Sequence, residues 1–135
     1  MSLFETISLN TLGDERGTLT VVEALKTLPF DIKRVYYLKN LVANIPRGFH
    51  AHYKLQQFAI CLAGSCEMVF DDGVSRELKL IDSSSEGVLI PPMVWHEMHN
   101  FTEDCIFLVL ASDLYDENDY IRDYQNFMKV IKSDS

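Results

Sequence analysis

The chain has 135 residues, a formal charge of −8, 47% hydrophobic and 11% aromatic residues; that is enough apolar material for one domain, spanning 1–135, that buries about two thirds of its unfolded surface. This composition excludes a disordered chain, and no apolar run approaches the roughly 20 residues a membrane helix needs. The acidic balance argues against nucleic acid as a partner, because phosphate tracking requires a basic stripe that displaces counterions.

The first residues lack the basic start and apolar core of a signal peptide, which sets the expectation of a soluble, cytoplasmic protein without a membrane partner. Cys61, Cys66 and Cys105 are odd in number and show no C-x-x-C spacing, so they read as reduced, buried thiols rather than a disulfide framework or zinc knuckle. Arg16, Lys33, Arg34, Arg47 and Lys54 gather cations in the first half, while 113–119 is acidic, so an anionic small molecule remains a suitable ligand.

Taken in chain order, short runs of β-branched and aromatic residues predict strands at 19–23, 34–38, 58–62, 66–70, 87–90 and 105–110. Ala63-Gly64-Ser65, Asp71-Asp72-Gly73, Ser83-Ser84-Ser85 and Pro91-Pro92 punctuate them with residues that turns select, and 71–73 is the best hairpin signal. Six to ten short strands without intervening helices predict a sandwich or barrel whose interior holds one small ligand. A helix is expected only over 118–131, where Ile121, Tyr124, Met128 and Ile131 fall at helical spacing behind Asn118 as N-cap.

Arg47-Gly48-Phe49-His50-Ala51-His52 spaces two imidazoles by the period of a strand, which places both rings on one face roughly 7 Å apart. The pair suits a metal, with His96 as a third ligand, or proton transfer between adjacent carbons, since imidazole holds both protonation states near neutrality. Two histidines merely filling a core is the third reading, and histidine is seldom fully buried. Arg34 and Tyr36 share one face of their strand and Val35 and Tyr37 the other; alternation alone leaves open which face is inside.

Gly48-x-His50-x-His52, then Gln57 after four residues and Gly64 after six more, resembles the first cupin motif with glutamine in the usual place of glutamate. Pro91, His96 and Asn100 resemble the second motif, with Met93 in place of its turn glycine. In metal-binding cupins the two histidines, the glutamate and the later histidine are ligands. A neutral Gln57 removes the charge that helps hold a divalent ion, so no metal and no cofactor are expected. The resemblance implies a mostly β cupin double-stranded β-helix, a jelly-roll barrel closed by a short C-terminal helix.

Arg16-Gly17, Pro29-Phe30 and the segments 32–37, 46–52, 64–66, 71–73, 94–99, 109–113 and 115–122 narrow the likeness. They resemble the sugar 3,4-ketoisomerases over nearly the whole chain. That resemblance implies a metal-independent homodimer acting on a dTDP-sugar, dTDP-4-keto-6-deoxy-glucose, by histidine acid–base catalysis through an enediol. It also implies a 3-keto product destined for 3-amino-3,6-dideoxy sugars of surface glycans. By motif position His50 and His52 are the expected acid–base pair, with Tyr37 for proton delivery. Arg16, Arg34, Arg47, Trp95 and His96 are the expected substrate-binding residues, and Arg16-Gly17 resembles the branch giving the galacto product.

Overall fold

A computed structural model describes residues 2–133. Strands β1 (Glu5–Ser8), β2 (Asn10–Asp14), β3 (Gly17–Val21), β4 (Arg34–Leu38), β5 (Arg47–His52) and β6 (Gln57–Ala63) are followed by β7 (Cys66–Asp71), β8 (Arg76–Ile81), β9 (Glu86–Ile90), β10 (Trp95–His99), β11 (Ile106–Ala111) and β12 (Tyr120–Ile121). One helix, α1 (Tyr124–Ser133), ends them. Two antiparallel five-stranded sheets, in the orders β1-β9-β6-β11-β4 and β12-β5-β10-β7-β8, face each other, and β2 and β3 form a separate ribbon. This is the jelly-roll arrangement expected of a cupin.

Each predicted strand is present, within a residue or two of its expected ends. Those the sequence did not announce have physical reasons to be silent. In β8, Arg76, Glu77 and Lys79 dilute the apolar signal, and β10 carries His96, Glu97 and His99 in a strand whose first four residues are buried. The Asp71-Asp72-Gly73 turn joins β7 to β8: Gly73 adopts φ +93 and donates its N–H to Asp71 Oδ1 at 2.7 Å.

Strand β6 explains why 58–62 is continuously apolar. Ala59 and Cys61 belong to the barrel core with Met68, Phe70 and Phe107, while Phe58 and Ile60 point out beneath Leu28 and Phe30. Both faces are therefore covered, and alternation vanishes from the sequence.

The C-terminal helix starts later than the periodicity implies. Residues 117–119 form a 3-10 turn, and Tyr120 and Ile121 pair with His52 and Ala51 instead of coiling. The cap is Asp123 rather than Asn118: its Oδ2 accepts from the N–H of Asn126 at 3.1 Å, the bond of an N-cap side chain to the third helical residue. Phe127, fully buried, then docks the helix on Ala51, Trp95 and Ile121, the outer face of the second sheet.

Asp123→Ala is expected to cost about 1 kcal/mol of unfolding free energy. Asn118→Ala should stay within about 0.5 kcal/mol of the parent. Urea denaturation of the two variants side by side checks which residue caps the helix.

Candidate active site

Strand β5 carries the histidines, and its backbone decides what accompanies them. His50 pairs with His96 of β10, but Gly48 pairs with Glu97 and Arg47 with Met98, so Phe49 is an extra residue. This β-bulge uses positive φ at Gly48 (+94) and Phe49 (+59). A Cβ at Gly48 would lie 3.0 Å from the His96 carbonyl oxygen and 3.1 Å from Met98 Sδ, so the close approach of the two strands needs glycine. Strict alternation would send Arg47 away from His50; the bulge returns it to the inner face, opposite Met98.

The rings of His50, His52 and His96 cluster against the inner wall. Centroids lie 5.1 Å apart for His50 and His52, 4.6 Å for His50 and His96, and 6.1 Å for His52 and His96. His50 Nδ1 lies 3.1 Å from the Gly48 carbonyl oxygen and His96 Nδ1 3.2 Å from that of Val94. A carbonyl only accepts, so each Nδ1 carries the proton and each Nε2 keeps its lone pair. His52 Nδ1 lies 3.4 Å from Asp119 Oδ2, and Asp119 is itself held by the N–H groups of Lys54 at 2.9 Å and Leu55 at 3.2 Å. Burial is the main force that lowers the pKa values: His50 falls to about 4, His52 to about 3 and His96 well below 6.5. All three are neutral near pH 7, able to accept a proton.

A cleft of about 310 Å³ opens between β4 and the β5–β12 edge, lined by Arg34, Tyr36, Arg47, His50, Tyr120 and Arg122 among others. A second hollow of about 170 Å³ reaches His52 from the other side, and Arg34 and Tyr120 line both. Three guanidiniums on one cleft give an otherwise acidic protein a local site for an anion. Arg122 stacks 4.0 Å over the Tyr120 ring and pairs with Glu117 at 2.7 Å, while Arg34 and Arg47 make no ion pair among the described residues.

Several expected positions are corrected. Tyr37 is 60% exposed on the outer face of β4, and the inward tyrosine is Tyr36. The Tyr36 hydroxyl accepts from Gln57 Nε2 at 2.7 Å, which leaves its own proton free for a ligand, and burial pushes its pKa up to about 12. Trp95, 3% exposed, turns away from the cleft: it packs against Tyr124 and Phe127 and donates to Glu97 at 2.8 Å. It is a packing anchor, because its neighbour His96 takes the inner face. Arg16 lies at the turn between β2 and β3, paired with Asp14 at 2.6 Å, and does not reach the cleft of its own chain. Asp119, Tyr120 and Arg122 went unassigned because a polar run before an apolar helix stripe reads as a helix start.

One nitrogen from each histidine lies within 4.8 Å of the other two, a donor set that a transition metal can use. Gln57 Oε1 is buried beside them without a hydrogen-bond partner, but it supplies no negative charge. The same geometry serves a ligand hydroxyl or ketone.

The family model described as "FdtA: WxcM-like, C-terminal" matches residues 3–132. The TDP-4-oxo-6-deoxy-alpha-D-glucose-3,4-oxoisomerase of Aneurinibacillus thermoaerophilus is 50% identical over 125 residues, covering 93% of this chain and 90% of that protein. Among solved structures, QdtA from Thermoanaerobacterium thermosaccharolyticum, a sugar 3,4-ketoisomerase in complex with TDP, is 41% identical with a TM-score of 0.95, over 98% of this chain and 96% of that one. A histidine-to-asparagine mutant of QdtA was solved with TDP-4-keto-6-deoxyglucose; it is 40% identical with a TM-score of 0.95, over 98% and 96% of the two chains.

The lowered histidine pKa values have a consequence for stability. Between pH 6.5 and about 3 the unfolded chain binds more protons at these rings than the folded chain. Their contribution is fully present above pH 6.5 and is lost as pH falls towards 4 and 3. Denaturant unfolding at pH 7, 6 and 5 should show stability falling by up to about 1.4 kcal/mol per pH unit per ring, with a shallower slope in His50→Asn. An equal slope in that variant would refute the assignment.

Proposed function

Because the chain belongs to the FdtA family (WxcM-like, C-terminal), we propose that its cleft carries out the reaction of that family by metal-independent histidine catalysis within one cupin domain. The protein is a TDP-4-keto-6-deoxyglucose 3,4-ketoisomerase. The observation that carries the mechanism is the pair of neutral imidazoles side by side, His50 on the arginine-lined cleft and His52 on the adjoining hollow that shares Arg34 and Tyr120 with it.

The C4 ketone acidifies the proton on C3. His52 Nε2 removes it, and Asp119 beside Nδ1 steadies the imidazolium that forms. The C3–H electrons become the C3–C4 double bond of an enediol, while the ketone oxygen gains a proton from Tyr36. Water carries a proton from the His52 imidazolium to the Nε2 lone pair of His50, which delivers it to C4, while the C3 hydroxyl returns a proton to the Tyr36 phenolate, leaving a ketone at C3 and every catalytic group as it began. Hydrogen has moved from C3 to C4 and from one oxygen to the other, so atoms and electrons balance without an external oxidant. Arg34 and Arg47 fit the diphosphate, a guanidinium matching two phosphate oxygens. His96 backs His50 and fixes its position.

The galacto configuration at C4 is the product favoured by Arg16-Gly17. It suits an aminotransferase that makes a 3-amino-3,6-dideoxy sugar for surface glycans, and the three free cysteines suit the reducing cytoplasm.

The active form is a homodimer. Among the described residues, ribbon β2–β3 pairs only with itself and exposes Leu12 and Leu19, each 58% accessible. A lone two-stranded ribbon is marginal in water, and a second copy is the cover that also brings Arg16 to a cleft.

Three measurements test this reading. His50→Asn and His52→Asn should each lower turnover by at least about 100-fold while circular dichroism stays unchanged and chelators leave the parent enzyme active. Full activity in both variants would remove the acid–base assignment. In heavy water, proton NMR of the product should show deuterium at C4 and none at C5; label at C5 would indicate an epimerase, and in product made in ordinary water the H4–H5 coupling reads the galacto configuration. Mixing inactive Arg16→Ala and His52→Asn chains should restore activity, because one hybrid cleft then holds an intact histidine and the partner's Arg16. Sedimentation as a monomer, or no restoration, would rule out the shared site.

A further inference from the structure

At the end of the barrel away from the histidines, three strands bring all the cysteines together. Cys61 lies towards the end of β6, Cys66 opens β7, and Cys105 immediately precedes β11. Their sulfurs lie within 4.8 Å of one another, with Cys61 and Cys105 3.8 Å apart. Sulfurs sharing one central atom at about 2.3 Å would sit roughly 4 Å apart, so the trio needs only small shifts to close on an ion. All three are buried and reduced.

Charge selects the guest. The cluster sits in the apolar barrel core, and the charged group acting on Cys105 is an acid, Asp104. A divalent cation on three thiolates would leave a buried net negative charge, and a monovalent one would leave more, each costly without a compensating cation.

We propose that Cys61, Cys66 and Cys105 form a three-thiol site for a single trivalent thiophilic metalloid, with arsenous acid as its simplest probe. Three S–H and three metalloid–oxygen bonds break, three metalloid–sulfur bonds form, and three waters leave. Nothing is oxidised or reduced, and the product is neutral. Access needs only local opening: exposed Leu62 follows Cys61, exposed Asp104 precedes Cys105, and the Ala63-Gly64-Ser65 turn lies between Cys61 and Cys66.

The test incubates the full folded chain with arsenite and a thiol-free reductant, followed by desalting, arsenic quantification and X-ray absorption at the arsenic edge. About one arsenic per chain with three sulfur neighbours is expected. Cys66→Ala should retain at least about tenfold less, since even an outer partner of a metal site is worth that much. Cadmium should bind more weakly than arsenite and release protons as it binds. No arsenic on the folded parent, two-sulfur coordination, undiminished retention by Cys66→Ala, or cadmium binding more tightly than arsenite would each overturn the proposal. The absorption measurement on the parent keeps the test decisive if the variant folds poorly.

Discussion

The inner wall of the second sheet can hold three imidazoles because the outer wall of the same strands is sealed by one helix. Side chains alternate along β5 and β10: His50, His52 and His96 turn in, so Ala51 and Trp95 must turn out. Phe127 and its helix cover that outer face. Without this cover, burying the outer face would compete with presenting the inner one, since a one-residue slip exchanges the two. Packing behind the sheet thus fixes the geometry of the imidazoles in front of it.

Burial sets the chemistry as well as the position. Desolvation keeps the rings uncharged, and the carbonyls of Gly48 and Val94 fix two of their tautomers, so lone pairs rather than protons meet the ligand. Cationic charge is carried instead by separate groups, the guanidiniums beside them at the cleft. A site divided this way offers an anion one set of groups and a proton another.

Much of this was legible in the sequence, because period-two runs and turn residues report directly on half-buried strands. The histidine pair and its motif spacing located the floor of the site. Other parts were hidden for specific reasons. Tyr36 and Tyr37 are adjacent and chemically identical, so only the packing of β4 could choose between them. Trp95 looked like a pocket residue because it adjoins His96, yet adjacency in a strand means opposite faces. Asp119 and Tyr120 were masked by an overlapping helical stripe, since three of its members, Tyr124, Met128 and Ile131, do belong to a helix that begins later. Arg16 belongs to a ribbon set apart from both sheets, a separation that no local sequence pattern reports.

The bulge in β5 also bears on how this segment can change over evolutionary time. Phe49 is the surplus residue, so losing its codon would restore strict alternation and leave Arg47, His50 and His52 on a common face. A point substitution at Gly48, which keeps the length, would instead press a side chain into the His96 carbonyl. A gap here is the milder event, and an alignment of this motif that penalises gaps above mismatches would rank the two changes in the wrong order.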